Sequence, residues 1–376
     1  MLATVDLEYE LPAHCIARCP AEPRDSARLM HIPLNGTEPS HRKVRELPEL
    51  LRAGDLLVLN TSRVVPARVL GVRQDTGGKI EGLCLGDEAG VRGGPTREYT
   101  GGGVGARFVM MLRGKRLRPG IRLELRREDE TPGAVIRLLE PWPEEAGAWL
   151  IEVEQVDGAG LLEAVGRTPL PPYILAARRH EQENFPERVD RARYQTVYAG
   201  PEGSVAAPTA GLHLTPWLLG ELAAKGIETA EVVLHVGTGT FRPVETEFVE
   251  QHPIHAEWCM LPAVSAQQIE RARRGGRRVI AVGTTACRVL ETFGAMEARG
   301  ELEKDRWVST RILITPGHAW TWTNGLLTNF HLPRSSLMAL VAALMPGGAA
   351  RLREMYELAV REGYRFYSFG DATLIS

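Results

Sequence analysis

Two stretches of this chain have different periodicities, and this difference most constrains how the chain can fold. Residues 64–156 contain short β-type runs separated by turns, such as Val135 to Leu139 and Trp149 to Val153, with no long helical period. Several short strands with frequent glycine and proline are typical of a small barrel or sandwich. After residue 157, apolar strand segments alternate with helical segments, which is typical of an α/β layer architecture.

Local signals place the elements of the α/β part. A buried strand pattern ends the first segment, at Asp55 to Asn60, and a second strand is expected from Val64 to Val72. Thr215 has the character of a helix N-cap, with Pro216 at the first helical position. Further strands are expected at Val232 to Val236, Val279 to Val282 and Arg311 to Ile314, and helices at Gly160 to Val165, Ala266 to Arg274, Ala286 to Ala298 and Ser335 to Leu344.

The length of 376 residues suggests two domains, at about 150 residues per domain with one of them large. We therefore predict an α/β fold: a large α/β domain formed by residues 1–63 and 157–376, and a smaller β-barrel domain inserted at residues 64–156. Within the barrel, the glycine-rich stretch from Gly86 to Gly105 is expected to be a mobile loop. Residues 178–193 are strongly charged and are expected to be exposed.

Composition excludes several classes of protein. Lys plus Arg number 45 and Asp plus Glu number 47, so a uniformly basic nucleic-acid coat is excluded, whereas a local basic patch is not. The five scattered cysteines form no disulfide framework and no four-thiolate zinc pattern. The N-terminus has no basic start, and the longest apolar run, Leu337 to Met345, is too short to span a bilayer. We expect a cytoplasmic protein with reduced thiols and no membrane partner.

Four segments are rich in small and polar residues where a strand meets a loop or helix. Loops at strand ends are where α/β proteins place ligands. Each segment also has a structural interpretation, as a tight loop, an ordinary β–α turn or a buried polar network. The segments are Ser204 to Thr215, Leu234 to Phe241, Ala281 to Glu291 and Gly325 to Pro333.

The chemistry of these segments suits a small ligand. The small side chains before Thr215 let a ligand approach the backbone, and Thr285, as a helix N-cap, would leave free N–H groups for a carboxylate or phosphate. The glycines after His235 are not a dinucleotide fingerprint, because the third glycine is missing. A lone histidine such as His235 is more commonly a hydrogen-bonded core residue.

A fifth segment runs from His252 to Cys259. The alternation of Ile254, Ala256, Trp258 and Met260 predicts a strand, with His255, Glu257 and Cys259 together on its opposite face. That face would hold an acid/base pair or a metal site, although the helical HExxH spacing is absent, and a solvated strand face is the alternative.

Two basic groups could contact phosphates, although most such runs are solvated faces. One lies in the barrel half and one at the end of a helix. The first contains Arg113, Lys115, Arg116 and Arg118, and the second contains Arg271, Arg273, Arg274, Arg277 and Arg278.

The motifs taken together resemble the S-adenosylmethionine:tRNA ribosyltransferase-isomerase family of the queuosine pathway. The resembling stretches run in order over nearly the whole chain, and their joint occurrence is specific although each is short. They are Tyr9 to Pro12, Arg24 to Leu29, Gly54 to Gly71, Pro169 to Tyr173, Tyr194 to Tyr198, Val205 to Leu214, Leu234 to Phe241, Val282 to Thr285, Thr328 to Pro333 and Phe366 to Asp371.

The resemblance implies a transferase that moves and isomerises the ribosyl part of S-adenosylmethionine, its co-substrate. The acceptor would be tRNA carrying 7-aminomethyl-7-deazaguanine at the wobble position, and the products epoxyqueuosine-tRNA, adenine and methionine. It also implies the α/β domain with a β-barrel. We expect a monomer without a metal.

This chemistry needs a base for the carbon beside the sulfonium, and an acid or hydrogen bond for the departing adenine. We expect the glycine-threonine loops to hold the adenine, ribose and carboxylate of S-adenosylmethionine. The catalytic candidates are His235, His255, Glu257 and His331. The substrate-binding candidates are Thr209, Gly211, His213, Gly237, Thr238, Gly239, Thr284, Thr285 and Asn329. The tRNA-binding candidates are Arg63 and Arg68, which flank the turn after Asn60.

The sequence departs from the family pattern in places. The Gly86 to Gly105 stretch resembles an enlarged barrel loop, and Asn324 stands where an acidic residue is expected. Pro253 and Trp258 vary the His-rich segment, whereas His252, His255 and Glu257 match it.

Three other functions stay open from the sequence. An S-adenosylmethionine methyltransferase would release S-adenosylhomocysteine, and a non-catalytic tRNA-binding protein would bind without turnover. A metallohydrolase would use His252, His255 and Glu257.

Overall fold

The computed structural model of the protein describes residues 1–93, 99, 101–237 and 244–376. Its strands are β1 (Arg28–Ile32), β2 (Ser40–Lys43), β3 (Leu56–Asn60), β4 (Arg63–Val64), β5 (Arg68–Arg73), β6 (Lys79–Asp87), β7 (Arg107–Arg113), β8 (Arg122–Arg126), β9 (Pro132–Pro141), β10 (Ala148–Val156), β11 (Glu202–Ser204), β12 (Glu228–Leu234), β13 (Glu257–Met260), β14 (Val279–Val282), β15 (Trp307–Thr310), β16 (Gly325–Asn329) and β17 (Ala372–Ile375). Its α-helices are α1 (Leu47–Leu50), α2 (Glu88–Gly93), α3 (Leu161–Val165), α4 (Pro172–His180), α5 (Glu187–Arg193), α6 (Pro216–Ala224), α7 (Ala263–Arg274), α8 (Thr284–Ala298), α9 (Ser336–Leu344) and α10 (Gly348–Arg361).

Over the described ranges, one mixed sheet has nine strands in the order β15-β13-β12-β3-β14-β16-β17-β1-β2. Its central strands β12, β3, β14 and β16 run parallel to one another. Strand β3 is buried on both faces: Leu56 and Val58 pack into a core with helices α7 to α10, and Leu57 and Leu59 pack with α6. Because both faces are covered, β3 is a continuous apolar run rather than an alternating one.

The barrel is formed by β5 to β10, which the structure closes in the antiparallel order β10-β7-β6-β5-β8-β9. Its interior is filled by alternate residues of these strands, among them Val69, Met110, Leu123, Ile136 and Ile151. A large sheet covered by helices, with a smaller closed barrel, confirms the predicted fold class.

Most predicted helices of the α/β part are confirmed. The Thr215 side chain caps α6 by accepting a hydrogen bond from the Leu218 N–H at 3.1 Å, and Pro216 opens the helix. Ser335 caps α9 in the same way, through the Met338 N–H at 3.2 Å. In the described stretches, no helix combines the length and apolar character needed to cross a membrane.

Two predictions about local structure are wrong. Residues Arg311 to Ile314 form no strand; the strand is Trp307–Thr310, and the Thr310 hydroxyl accepts the Ile312 N–H at 3.2 Å, which turns the chain out of the ladder. The charged stretch 178–193 is not uniformly exposed, because Arg178 and Asp190 are buried and form an ion pair at 2.7 Å between α4 and α5.

Two further predictions need adjustment. The strand expected from Val64 to Val72 is two strands, β4 and β5, separated at Pro66, which has no N–H for a ladder. The expected mobile loop begins as regular structure, because β6 continues to Asp87 and α2 follows. Residues 94–98 and 100 of that stretch lie outside the described residues.

Candidate active site

The predicted ligand-binding segments meet at one edge of the sheet. Strands β3, β12, β14 and β16 end at Asn60, Leu234, Val282 and Asn329, and these four strands are neighbours in the sheet. The carboxyl ends of parallel strands share an edge, and open α/β sheets bind their ligands there. Two adjoining clefts lie at this edge.

The first, which we call the Asn329 cleft, is lined by residues 206–210, the turn from β14 to α8, residues 328–332, and the aromatic residues Tyr173 and Tyr367. Its empty volume, open mouth included, is about 720 Å³, within the range of small-molecule sites. The Tyr173 and Tyr367 ring centroids are 4.5 Å apart. Five predicted residues lie on its walls: Thr209, Thr284, Thr285, Asn329 and His331.

Asn329 is held by a closed set of hydrogen bonds. Its Oδ1 accepts from the Thr209 hydroxyl at 2.9 Å, and its Nδ2 donates to the Tyr367 carbonyl at 3.2 Å and to His213 Nε2 at 3.2 Å. Burial, with smaller contributions from Arg365 and Arg24, lowers the pKa of His213 to about 4. The His213 ring is therefore neutral near pH 7 and accepts this hydrogen bond. His213 fixes Asn329 from behind the cleft wall.

His331 is a second neutral histidine of this cleft. Burial lowers its pKa to about 3, and its Nε2 lies 2.9 Å from the Thr328 hydroxyl. Its backbone carbonyl accepts from the Tyr9 hydroxyl at 2.5 Å, and its N–H donates to the Tyr356 hydroxyl at 3.2 Å. A ring with so low a pKa is suited to hydrogen bonding rather than to proton abstraction near pH 7.

The N-terminus of α8 lies between the two clefts, because Thr284, Thr285 and Leu337 line both of them. The predicted N-cap, Thr285, is wrong. Gly283 caps the helix in a conformation with φ of +89°, which glycine adopts without strain, and Thr284 opens the helix. The free N–H groups of this first turn carry partial positive charge and favour an anionic ligand group.

The second, which we call the Glu257 cleft, is lined by Gly237, residues 252–255, Glu257, Arg288 and residues 312–314. Glu257 is 6% exposed; its Oε1 accepts the Gly237 N–H at 3.1 Å, and its Oε2 forms an ion pair with Arg288 Nη1. The Arg288 Nη2 is buried and has no hydrogen-bond partner among the described residues. This guanidinium thus retains a donor in the wall of a cleft.

Arg288 is absent from the residues singled out in the sequence, although a signal was present. It lies four residues after Thr284 in α8 and therefore on the same helix face. The nearby sequence did not show which carboxylate it pairs with, because Glu257 lies 31 residues away.

The strand predicted from Ile254 to Met260 is wrong in length, whereas the predicted shared face of Glu257 and Cys259 is confirmed. Only Glu257–Met260 is a strand, and its inward face carries Glu257 and Cys259 rather than Trp258 and Met260. His255 precedes the strand with its side chain 44% exposed, and its Nδ1 lies 3.9 Å from Glu145 Oε2 of the barrel. The inward face tolerates Glu257 because Gly237 and Arg288 satisfy its carboxylate. His255 and Glu257 still line the same cleft.

Among the described residues, His235 is not one of those that line either cleft, although its neighbours Val236 and Gly237 are. Its Nδ1 is 2.7 Å from the Ser62 hydroxyl, and its ring stacks on Trp307 with centroids 4.8 Å apart. Gly203 also packs against the ring, and a Cβ at this position would approach it to 2.6 Å. These contacts hold the ring firmly in place.

Asn60 connects the ends of strands β3 and β12 with the start of helix α8, a role that the sequence did not reveal. Its Oδ1 accepts the N–H groups of Leu234 at 3.0 Å and Ser62 at 3.1 Å. Its Nδ2 donates to the Leu234 carbonyl at 3.0 Å and to the Thr285 hydroxyl at 3.2 Å. One buried amide therefore fixes the spacing between β3, β12 and α8.

The remaining predicted residues have varied positions. Gly211 packs on Tyr198 so closely that a Cβ would lie 1.9 Å from the tyrosine hydroxyl, which explains a glycine there by packing. Arg63 donates to the carbonyls of Gly200 at 3.1 Å and Ala199 at 2.6 Å. Arg68 pairs with Glu81 at 2.7 Å. Thr238 and Gly239 lie outside the described residues.

The described residues contain no group of three His, Cys, Asp or Glu side chains placed to hold a metal ion. In particular, the Glu257 carboxylate that a metallohydrolase would require is bound to Arg288.

Comparison with known proteins gives the family. The family model described as "Queuosine biosynthesis protein" matches residues 4–375. The chain belongs to the queuosine biosynthesis protein family. This confirms the resemblance drawn from the motifs.

Relatives from several organisms align with almost the whole chain. A protein of Gloeobacter violaceus named S-adenosylmethionine:tRNA ribosyltransferase-isomerase is 43% identical over 99% of this chain and 95% of its own length. A Desulfitobacterium hafniense protein of the same name is 44% identical over 98% of both chains. A crystal structure of an S-adenosylmethionine tRNA ribosyltransferase from Thermotoga maritima is 30% identical, with a TM-score of 0.50, and the match covers 99% of this chain and 100% of that chain.

Proposed function

We propose that this chain is a transferase that moves and isomerises the ribosyl group of S-adenosylmethionine. The acceptor is 7-aminomethyl-7-deazaguanine at the wobble position of tRNA, and the products are epoxyqueuosine-tRNA, adenine and methionine. The observation that carries the proposal is the junction of two clefts at the N-terminus of α8, built from segments that resemble this family. The names of relatives that span the whole chain support it.

The Asn329 cleft suits the adenine and ribose. Its walls combine the rings of Tyr173 and Tyr367 with the hydroxyls of Thr209 and Thr328. Aromatic walls with a few placed polar groups are typical of sites for a flat heterocycle. His331, neutral and hydrogen-bonded to Thr328, is placed to hydrogen-bond the departing adenine.

The Glu257 cleft suits the methionine part. Its wall offers the remaining N–H donor of Arg288 and the first turn of α8, both of which favour a carboxylate. In this arrangement Glu257 holds Arg288, and the shared residues Thr284 and Thr285 lie beside the ribose.

Proton removal from the carbon beside the sulfonium needs a base near the junction of the clefts. His255 lines the Glu257 cleft together with Arg288, and its ring is partly exposed. We assign His255 as the proton acceptor, with Glu257 as the group that positions Arg288. His235 would act through Ser62 rather than on the substrate.

The test is incubation of the protein with S-adenosylmethionine and tRNA carrying the aminomethyl-deazaguanine base. Chromatography is expected to show adenine and methionine in equal amounts. The matched control is the same tRNA with guanine at the wobble position, which lacks the acceptor amine and is expected to release neither. Formation of S-adenosylhomocysteine would indicate a methyltransferase, and a gel shift without adenine would indicate a binding protein.

The organisation of the molecule completes the proposal. Residues 1–63 and 157–376 form the catalytic domain and residues 64–156 the inserted barrel, and the protein acts on tRNA as a cytoplasmic monomer. Arg63 and Arg68 lie at the junction of the two domains as tRNA contacts. Sedimentation of the protein alone would measure its oligomeric state, and sedimentation with one equivalent of tRNA would measure how many protein chains bind one tRNA.

A further inference from the structure

A groove on the barrel side adjoins the Glu257 cleft. It lies between strands β5 to β7 and residues 169–179, and its empty volume with the open mouth is about 1140 Å³. Leu83, Met111 and Leu170 form apolar walls, and Gly237 lines both this groove and the Glu257 cleft. We call it the barrel groove. A chain entering the Glu257 cleft can therefore continue along it.

The barrel groove has an excess of positive charge. Arg68, Arg113 and Arg179 line it together with one acidic residue, Glu81. Glu81 lies opposite Arg113 in the ladder but pairs with Arg68, at 2.7 Å. Neither Arg113 nor Arg179 has an ion pair with a described residue; Arg179 Nε donates to the Leu175 carbonyl at 3.2 Å.

The turn after Arg113 extends this charge. Lys115, Arg116 and Arg118 are exposed, and within the described ranges none forms an ion pair. The buried Arg73 holds the turn from beneath, donating to the Lys115 carbonyl at 2.7 Å and the Arg116 carbonyl at 3.2 Å.

Asp75 holds the Arg73 guanidinium in turn, at 2.9 and 2.6 Å. The turn is thus anchored by its backbone, whereas its cationic side chains remain in solvent. Residues 113–118 contain no acidic residue that would neutralise them.

The second basic group of the chain shows that unpaired arginines are not the general rule. Four of its five arginines pair with carboxylates, at 2.5 to 2.6 Å. These pairs are Arg273–Glu297, Arg274–Glu270, Arg277–Glu228 and Arg278–Asp55. The cationic side chains from Arg113 to Arg118, which have no ion pair within the described ranges, therefore contrast with this second group.

We propose that the barrel groove and the Arg73-anchored turn bind the sugar-phosphate backbone of the tRNA beside the nucleotide that is modified. This inference rests on the proposed function. Guanidinium groups bind phosphates in bidentate fashion, and the apolar walls can receive an unstacked base that flanks the wobble position. Continuity through Gly237 places this surface next to the reaction.

The test compares two triple variants with the same loss of charge. The target is Arg113→Ala/Lys115→Ala/Arg116→Ala, and the control is Arg271→Ala/Arg274→Ala/Arg299→Ala, three exposed residues far from the barrel in sequence. We expect the target to raise the KM for tRNA about tenfold or more, with the KM for S-adenosylmethionine unchanged. The plot of the logarithm of its tRNA affinity against the logarithm of salt concentration should become less steep by about two, because each phosphate contact contributes ~0.7–0.9 to the slope. The control should match the wild-type protein.

Two further measurements make the outcome decisive. The charge-retaining variant Arg113→Lys/Arg116→Lys should keep most of the tRNA affinity, and thermal unfolding of each variant should show that the barrel is intact. Equal tRNA KM and salt slope in target and control would overturn the inference while leaving the proposed function in place. If the wild-type protein releases no adenine, the proposed function fails, and filter binding of tRNA to the same variants still decides whether this surface binds RNA.

Discussion

The two clefts at the sheet edge differ in how their polar groups are satisfied. In the Asn329 cleft every polar atom of Asn329 and the Nε2 of His331 has a protein partner, and burial keeps both His213 and His331 neutral. In the Glu257 cleft a buried ion pair leaves one guanidinium nitrogen without a partner. The Asn329 cleft is therefore built to hold a neutral ligand group in place, and the Glu257 cleft to receive a negatively charged one.

The energetic cost of the two arrangements supports this division. A buried ion pair contributes little net stability, because desolvation offsets the Coulomb attraction. The Glu257–Arg288 pair is therefore better explained by a ligand than by folding. A neutral hydrogen-bonded network such as that around Asn329 positions its members at low cost.

The comparison predicts that proton transfer takes place in the Glu257 cleft. His255→Gln should lower kcat by roughly 10²–10⁴-fold, the usual contribution of a general base. The equivalent change in the other cleft, His331→Gln, should lower kcat by less than about tenfold, because a hydrogen-bonding side chain is retained. Single-turnover adenine release with saturating tRNA measures both. If His255→Ala and Glu257→Gln both turn over at the wild-type rate, the assignment of these residues is wrong.

Arg288 tests the difference between the two clefts through the binding of S-adenosylmethionine rather than through turnover. Arg288→Met should weaken S-adenosylmethionine binding by roughly 10²-fold, since a buried charged contact is worth about 2–5 kcal/mol when one partner is removed. It should also destabilise the fold by about 3–5 kcal/mol, because the buried Glu257 carboxylate loses the cation with which it pairs.

The double variant Arg288→Met/Glu257→Gln separates these effects. It should recover most of the stability in urea unfolding and none of the affinity in calorimetry. Recovery of both would show that Arg288 is only structural.

Asn329 tests the neutral cleft. Asn329→Ala leaves Thr209, His213 and the Tyr367 carbonyl without their partner, a loss of about 1–3 kcal/mol. The KM for S-adenosylmethionine should rise about 10-fold or more, and the KM for tRNA should not change. Thr209→Val, which removes one hydroxyl from the same network, should have a smaller effect in the same direction. A rise in the tRNA KM alone would place the nucleic acid, not the adenine, in this cleft.

Sequence alone predicted those parts of the fold that local pattern determines. The apolar run Leu56 to Asn60 and the Thr215 cap are local signals, and the structure confirms both. The strand at Trp307–Thr310 was placed four residues too late because its position depends on pairing with β13, a contact across 50 residues of chain.

Prediction of the candidate site from sequence has the same limit, because local pattern does not show contacts between residues distant in the chain. The small and polar segments at strand ends identified its walls, since parallel strands bring their carboxyl ends together. Asn60 and Arg288 were missed because their importance lies in partners distant in sequence, Leu234 and Glu257. The spacing of four residues from Thr284 places Arg288 on the helix face that lines the cleft, but it does not identify Glu257 as its partner.

The last prediction concerns the dependence of stability on pH, and it tests the neutral cleft without a change in turnover. The folded-state pKa values of His213 and His331, about 4 and about 3, lie below the unfolded value of about 6.5. Between these limits the unfolded chain binds more protons than the folded one, so stability is full above about pH 6.5 and falls as pH falls toward 4. The slope is about 1.4 kcal/mol per pH unit for each histidine. Urea unfolding of His331→Gln should therefore show a shallower loss of stability between pH 6.5 and 4 than the wild-type protein. Equal slopes in the wild-type protein and His331→Gln would mean that His331 titrates normally, and the distinction between a neutral and a charged cleft would then rest on Asn329 and Arg288 alone.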